Sequence, residues 1–185
     1  MSAARGLSLF IVPVAAAAAI GLAVERLNLL PTRSTAAIDL STAATEGWRE
    51  TPWPFHRDQF GAGRAYATAE LRLTLRAKIG FCDCAAGVSD DEELERIGDV
   101  SLVDASLKAG PPGREIRIGH MKGRSRAYGG SGAGPSAVLS IAFNHRCDVM
   151  VATATGGDLE TREAEALVFL GSAPTLAWVE QALGL

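Results

Sequence analysis

The sequence predicts an α+β fold, an antiparallel sheet with helices packed on it, preceded by an N-terminal transmembrane or signal helix. Three observations carry this expectation. Leu71, Leu73, Leu75 and Ile79 alternate with Arg72, Thr74, Arg76 and Lys78, the period-two pattern of a strand with one wet face. Ala137–Phe143 and Cys147–Thr155, both rich in Val, Ile and Phe, flank a tight connection at Asn144–Arg146 and read as a hairpin. Capped helical patterns start at Ser89 and Asp158.

The elements follow in chain order. Arg5 precedes nineteen residues without a charge, Gly6 to Val24. About 20 apolar residues cross a bilayer as a helix, so this segment reads as a membrane anchor. The small residues Ala15 to Ala19 equally suit cleavage of a signal peptide. Either way the rest of the chain is expected on the periplasmic or outer side of the inner membrane, with secretion after cleavage as the alternative. Three units are expected: residues 1–33 as signal peptide or anchor, 34–60 as stalk and aromatic arm, and 61–185 as one globular α+β domain.

The arm, Trp48 to Phe60, concentrates two Trp and two Phe around Pro52 and Pro54. The prolines argue for an irregular segment packed on the domain. The alternative is a strip that receives a partner. After the Leu71 strand, which is expected to run on past Gly80 to Cys84, Ser89-Asp90-Asp91-Glu92 forms a capping box. Leu94, Ile97, Val100 and Val103 then recur at helical spacing to about Leu107, and Gly110-Pro111-Pro112-Gly113 ends the helix. Glu115–Gly119 and Arg124–Tyr128 read as strands, followed by the glycine loop 129–135 and the hairpin. Asp158 caps a helix broken at Gly171-Ser172, and Pro174 opens the last helix, with Leu176, Val179 and Leu183 on its apolar stripe.

Charge narrows the function. Of 18 Lys and Arg and 21 Asp and Glu, three Arg and one Glu fall in residues 1–33, so the remainder carries net −5. That argues against nucleic acid as the main partner. Residues 89–106 are acidic and 114–126 basic, each most simply a solvated face; the basic strip, Arg117, Lys122, Arg124 and Arg126, alternatively offers an anion or acidic-partner surface. No G-x-S-x-G elbow, P-loop or C-x-x-C-H occurs.

The three cysteines are the residues closest to chemistry. In an oxidising compartment Cys147 would pair with Cys82 or Cys84, closing a loop of 63 or 65 residues. The chain-entropy gain is about 4 kcal/mol for such a loop. Alternatively Cys82, Cys84 and Cys147, with His120, Met121 or His145, would suit Cu(I) or Zn. A free thiol acting with His120 or His145 is a third reading.

Lys78 to Cys84 resembles the C-x-C of a membrane-anchored copper-delivery factor for cytochrome oxidase, with Asp83 where that family carries an aromatic. Trp53-Pro54-Phe55, Asp58 to Gly61, Lys78 to Cys84, Gly119-His120-Met121 with Gly123-Arg124, and Cys147-Asp148-Val149 together resemble exported, uncharacterised alphaproteobacterial proteins. That resemblance implies location and no activity. The C-terminal part, a hairpin and then an acid-capped helix with Phe169-Leu170-Gly171-Ser172, resembles the PsbP-like α/β/α sandwich. It implies a binding or assembly role.

The expectation is thus a membrane-tethered or exported periplasmic accessory module, non-enzymatic and without a cofactor. It would hold the membrane through residues 6–24 and a protein partner through Trp48, Trp53, Phe55 and the basic strip. Handling of copper or zinc is the competing expectation.

Overall fold

The computed structural model describes residues 45–56, 58–130 and 137–185. The expected anchor or signal segment 6–24, the first part of the stalk and the loop residues 131–136 lie outside the described residues. By contacts the chain divides into Met1–Ile38 and Asp39–Leu185, and all described residues belong to the second unit.

Among the described residues eight strands form one antiparallel sheet: β1 Arg49–Thr51, β2 Arg64–Ala67, β3 Leu71–Lys78, β4 Lys108–Ala109, β5 Arg114–Ile118, β6 Met121–Gly129, β7 Ala137–His145 and β8 Asp148–Gly156. Their order is β1-β2-β3-β8-β7-β6-β4, with β5 also paired to β6. Among the described residues four helices accompany them: α1 Asp91–Ile97, α2 Val100–Val103, α3 Leu159–Leu170 and α4 Ala173–Ala182. The expected antiparallel α+β architecture is present, with helices on both faces of the sheet.

Strand alternation assigns the two faces. Leu73, Leu75, Leu139, Ile141, Phe143, Met150, Ala152 and Ala154 point to one side. There Ala166, Phe169 and Leu170 of α3 and Val179 of α4 close over them. Burial of this kind is worth about 25 cal/mol per Å² of apolar surface. Asp158 caps α3 as expected, its carboxylate accepting the Thr161 N–H at 3.0 Å. Arg162 of α3 is buried and donates to the carbonyls of Gly156, Gly157 and Ala137, which locks the helix to the hairpin's open end.

The opposite face is narrower in its apolar part. Ala142, Val149 and Val151 meet Leu94 and Ile97 of α1, with Val88 and Cys82 beside them. Charged residues flank this strip, Arg76 and Lys78 on β3 and Arg124 and Arg126 on β6.

Several local expectations are corrected. Arg49–Thr51, inside the arm, is a strand paired to β2, because three residues fit before Pro52 removes a donor. The Leu71 strand ends at Lys78, and Cys82–Cys84 lies in a loop where the Asp83 carboxylate accepts the N–H groups of Ala85 and Ala86. The N-cap of α1 is Asp90, whose carboxylate accepts the Glu93 N–H at 2.8 Å. The helix does not continue to Leu107. It stops at Gly98, where an added Cβ would lie 2.8 Å from the Leu94 carbonyl oxygen and 2.9 Å from Ser140 Oγ. The chain restarts as α2 after Asp99 has turned inward. Cys147 sits in the β7–β8 turn beside Arg146, which takes φ 53°.

Candidate functional site

The charged residues on the second face are mostly fasteners. Arg76 is 2% exposed, and its Nε and Nη2 donate to Asp99 at 2.7 and 2.6 Å. Its Nη1 donates to Asp58 of the arm at 2.7 Å. Lys78 Nζ lies 2.9 Å from Asp99 and donates to the Ile97 carbonyl at 2.6 Å. The Phe60 ring covers both cations, 4.7 Å from Lys78 Nζ and 5.3 Å from Arg76 Cζ. Burial holds the Lys78 ammonium below its usual range, with Asp99 acting in the other direction. The hydrogen bond from Arg76 holds the Asp58 carboxyl low. Across the sheet, Asp91 accepts from Arg124 and from the Gly113 N–H, and Arg126 approaches it at 3.6 Å. The Arg124 bond holds Asp91 low in turn.

These contacts divide the predicted partner strip. Arg124 and Arg126 are turned toward Asp91 and the carbonyls of Gly113, Gly110 and Pro111. Arg117 and Lys122 face each other across β5 and β6, are exposed, and line a shallow cleft with Ser89 and Asn144. The arm's aromatics are half-buried. Trp48 stacks on Phe169 with centroids 4.6 Å apart, Trp53 meets Phe55 at 5.4 Å, and Phe60 meets Phe81 at 4.8 Å.

The sulfur set also divides. Cys84 and Cys147 form a disulfide, with Cα atoms 4.1 Å apart. Cys82 is free, buried, and donates its S–H to the Arg146 carbonyl at 3.2 Å. Burial pushes its thiol up to about 11, with Glu93 and Asp148 adding to the effect, so almost none is thiolate at neutral pH. His120 and His145 meet edge to face at 5.9 Å, at the same end of the sheet. Met121 is 1% exposed and belongs to the core under α4. The structure therefore does not bring three thiolates and a His or Met together, and no metal-ligating group of three His, Cys, Asp or Glu occurs among the described residues.

The feature with the geometry of a binding site lies elsewhere on the second face. The α1–α2 layer stops short of β1 and β2, and a groove of about 620 Å³ opens there. That volume falls in the usual range for small-ligand sites. The register builds its floor in rows. Arg49, Ala67, Arg72 and Thr155 are successive cross-strand partners, and so are Thr51, Ala65, Thr74 and Thr153. Pro52, Pro54 and Phe55 of the arm line the groove together with Val103 of α2. Thr153 is 2% exposed and its hydroxyl has no hydrogen-bond partner among the described residues. A buried polar group in that state costs about 1–3 kcal/mol. A wider hollow between Trp48 and Val168 collects Glu46, Glu70 and Glu165 against Arg49, without convergent donors.

Sequence reasoning passes over Arg49, Arg72, Thr74, Thr153 and Thr155. The available signal is the wet face of β3 read together with Thr153 and Thr155, threonines placed two apart after the apolar run Val149 to Ala152. Comparison of the chain with protein-family models, curated proteins and solved structures yields no match to any of them.

Proposed function

We propose that this chain is a non-enzymatic, extracytoplasmic accessory module that binds a small ligand in the groove between its aromatic arm and the β1–β3–β8 surface. One observation carries the reading. A buried hydroxyl, Thr153, has no partner among the described residues and lies in the floor of a groove whose rim holds two arginines. Such a group is the kind that a ligand completes. The membrane tether, residues 6–24, and the periplasmic location belong to the same proposal. The Cys84–Cys147 disulfide supports them, because disulfides persist in oxidising compartments.

Two measurements test it. Chemical-shift mapping of the full chain against small fragments of every charge type should cluster on Thr74, Thr153 and Thr155. Shifts gathered instead at Arg117 and Lys122 would move the binding surface and overturn the groove. For location, acid-quenched alkylation of whole cells should find Cys84 and Cys147 protected in the mature protein; two freely labelled thiols would count against export.

A further inference from the structure

If the groove is the binding site, its chemistry also selects a class of ligand. We infer that this ligand is a small organic monocarboxylate with an apolar body, an inference that rests on the groove being the site.

The charge is set by one end of the groove. Arg49 and Arg72 flank Ala67 in a single row, so their Cα atoms stand two strand spacings apart, about 10 Å. Ala67 between them has no bulk to fill the gap. Both arginines are exposed, and neither has an ion-pair partner among the described residues. A guanidinium presents two parallel N–H donors that match the two oxygens of a carboxylate. Among the described residues lining the groove the charged ones are Arg49, Arg72 and Glu70, which leaves one net positive charge, with Glu46 and Glu165 in the neighbouring hollow beyond Arg49. A monoanion balances that charge, whereas a phosphate dianion would be left in excess beside Glu70.

The ligand's body is set by the rest. The next row of the floor lies about 7 Å along the strands. There Thr74 and Thr153 supply hydroxyls beside Ala65, which is 4% exposed. A hydroxyl or carbonyl on the ligand at that distance from its carboxylate would pair with Thr153. Above this row Pro52 and Pro54 have no N–H to offer, and Phe55 and Val103 complete apolar walls. The order of donors and apolar surface therefore runs from carboxylate to polar centre to hydrocarbon.

The test is calorimetric titration of the full chain with 4-phenylbutyrate, 4-phenylbutan-1-ol, 4-phenylbutylamine and phenyl phosphate, with chemical shifts recorded for each. The carboxylate should bind about tenfold or more tighter than the alcohol, and the amine and phosphate more weakly still. Arg72→Gln should cost the carboxylate about tenfold and leave the alcohol unchanged, and Arg49→Gln should act in the same direction. Both sites are exposed, so an unchanged melting temperature shows that the variants fold. Equal binding of alcohol and carboxylate, tighter binding of phenyl phosphate, or indifference to both substitutions overturns the monocarboxylate. If groove shifts persist in those cases, the binding-module reading survives without it. Absence of groove shifts with all four probes overturns both.

Discussion

The two faces of the sheet are covered by the same kind of element and held by different forces. Under α3 and α4 the contact is continuous hydrocarbon, from Leu73 across Met150, Ile141 and Phe143 to Met121. Under α1 and α2 the apolar strip is only as wide as β8 and β7, and acids on the helix layer reach to bases on β3 and β6. Apolar area is non-directional and rewards complete coverage. Buried ion pairs reward only their own geometry, and they need not cover anything beyond it. The second layer is therefore short, and the floor it leaves bare is the groove. The contrast shows how one sheet supports both a stable core and an unfinished surface.

The largest expected effect comes from breaking the ionic fastening. Asp99→Ala leaves Arg76 and Lys78 buried without their shared counter-charge, and a loss of about 3–5 kcal/mol is expected in denaturant unfolding. If the faces differ in this way, hydrogen exchange should rise first in α1 and α2 and only later in α3. A uniform rise would erase the distinction. Next is the Cys84–Cys147 link, which ties the loop after β3 to the β7–β8 turn at the edge of the ionic face. Replacing both cysteines by alanine should cost about 2–4 kcal/mol by the same measurement.

Acid should separate the faces more gently. Asp58 and Asp91 have carboxyl groups held below their usual range by Arg76 and Arg124. In that window the unfolded chain binds more protons than the folded one, so stability rises with pH. The contribution is complete above the unfolded carboxylate range, about pH 4, and fades as pH falls through the lower folded values. Exchange protection of α1 and of the arm should drop between about pH 4 and pH 2 while that of α3 holds. Equal loss in α3 would show that the apolar face depends on the same charges. The smallest effect is expected at Thr153. Thr153→Val removes an unpaired buried hydroxyl and should raise stability by about 1 kcal/mol, while weakening any ligand that pairs with it.

The same contrast explains what can be read from the sequence. The apolar face follows period two, so β3, the β7–β8 hairpin and the Asp158-capped α3 are legible locally. The ionic face has no such period. Asp99 looks like one more acid on a solvated helix, and nothing local tells that it meets Arg76, 23 residues earlier. β2 escapes notice because its groove side is Ala65 and Ala67, and β1 because Arg49-Glu50-Thr51 has no apolar residue at all. The C-x-C string draws attention as a chemical motif, yet Cys84 is consumed by Cys147 and Cys82 is buried against Val88 and α1. The groove itself depends on rows across four strands, a relation that only pairing reveals.

The margins of the sheet bear on how the chain behaves in company. An open eight-stranded sheet has two borders where unpaired N–H and C=O groups can recruit further strands. Here one border is a three-residue strand stopped by Pro52. The other is cut in two by Gly110-Pro111-Pro112-Gly113, and its longer piece carries Arg114, Glu115 and Arg117. Among the described residues neither border offers a long, uncharged template on which a further strand could add.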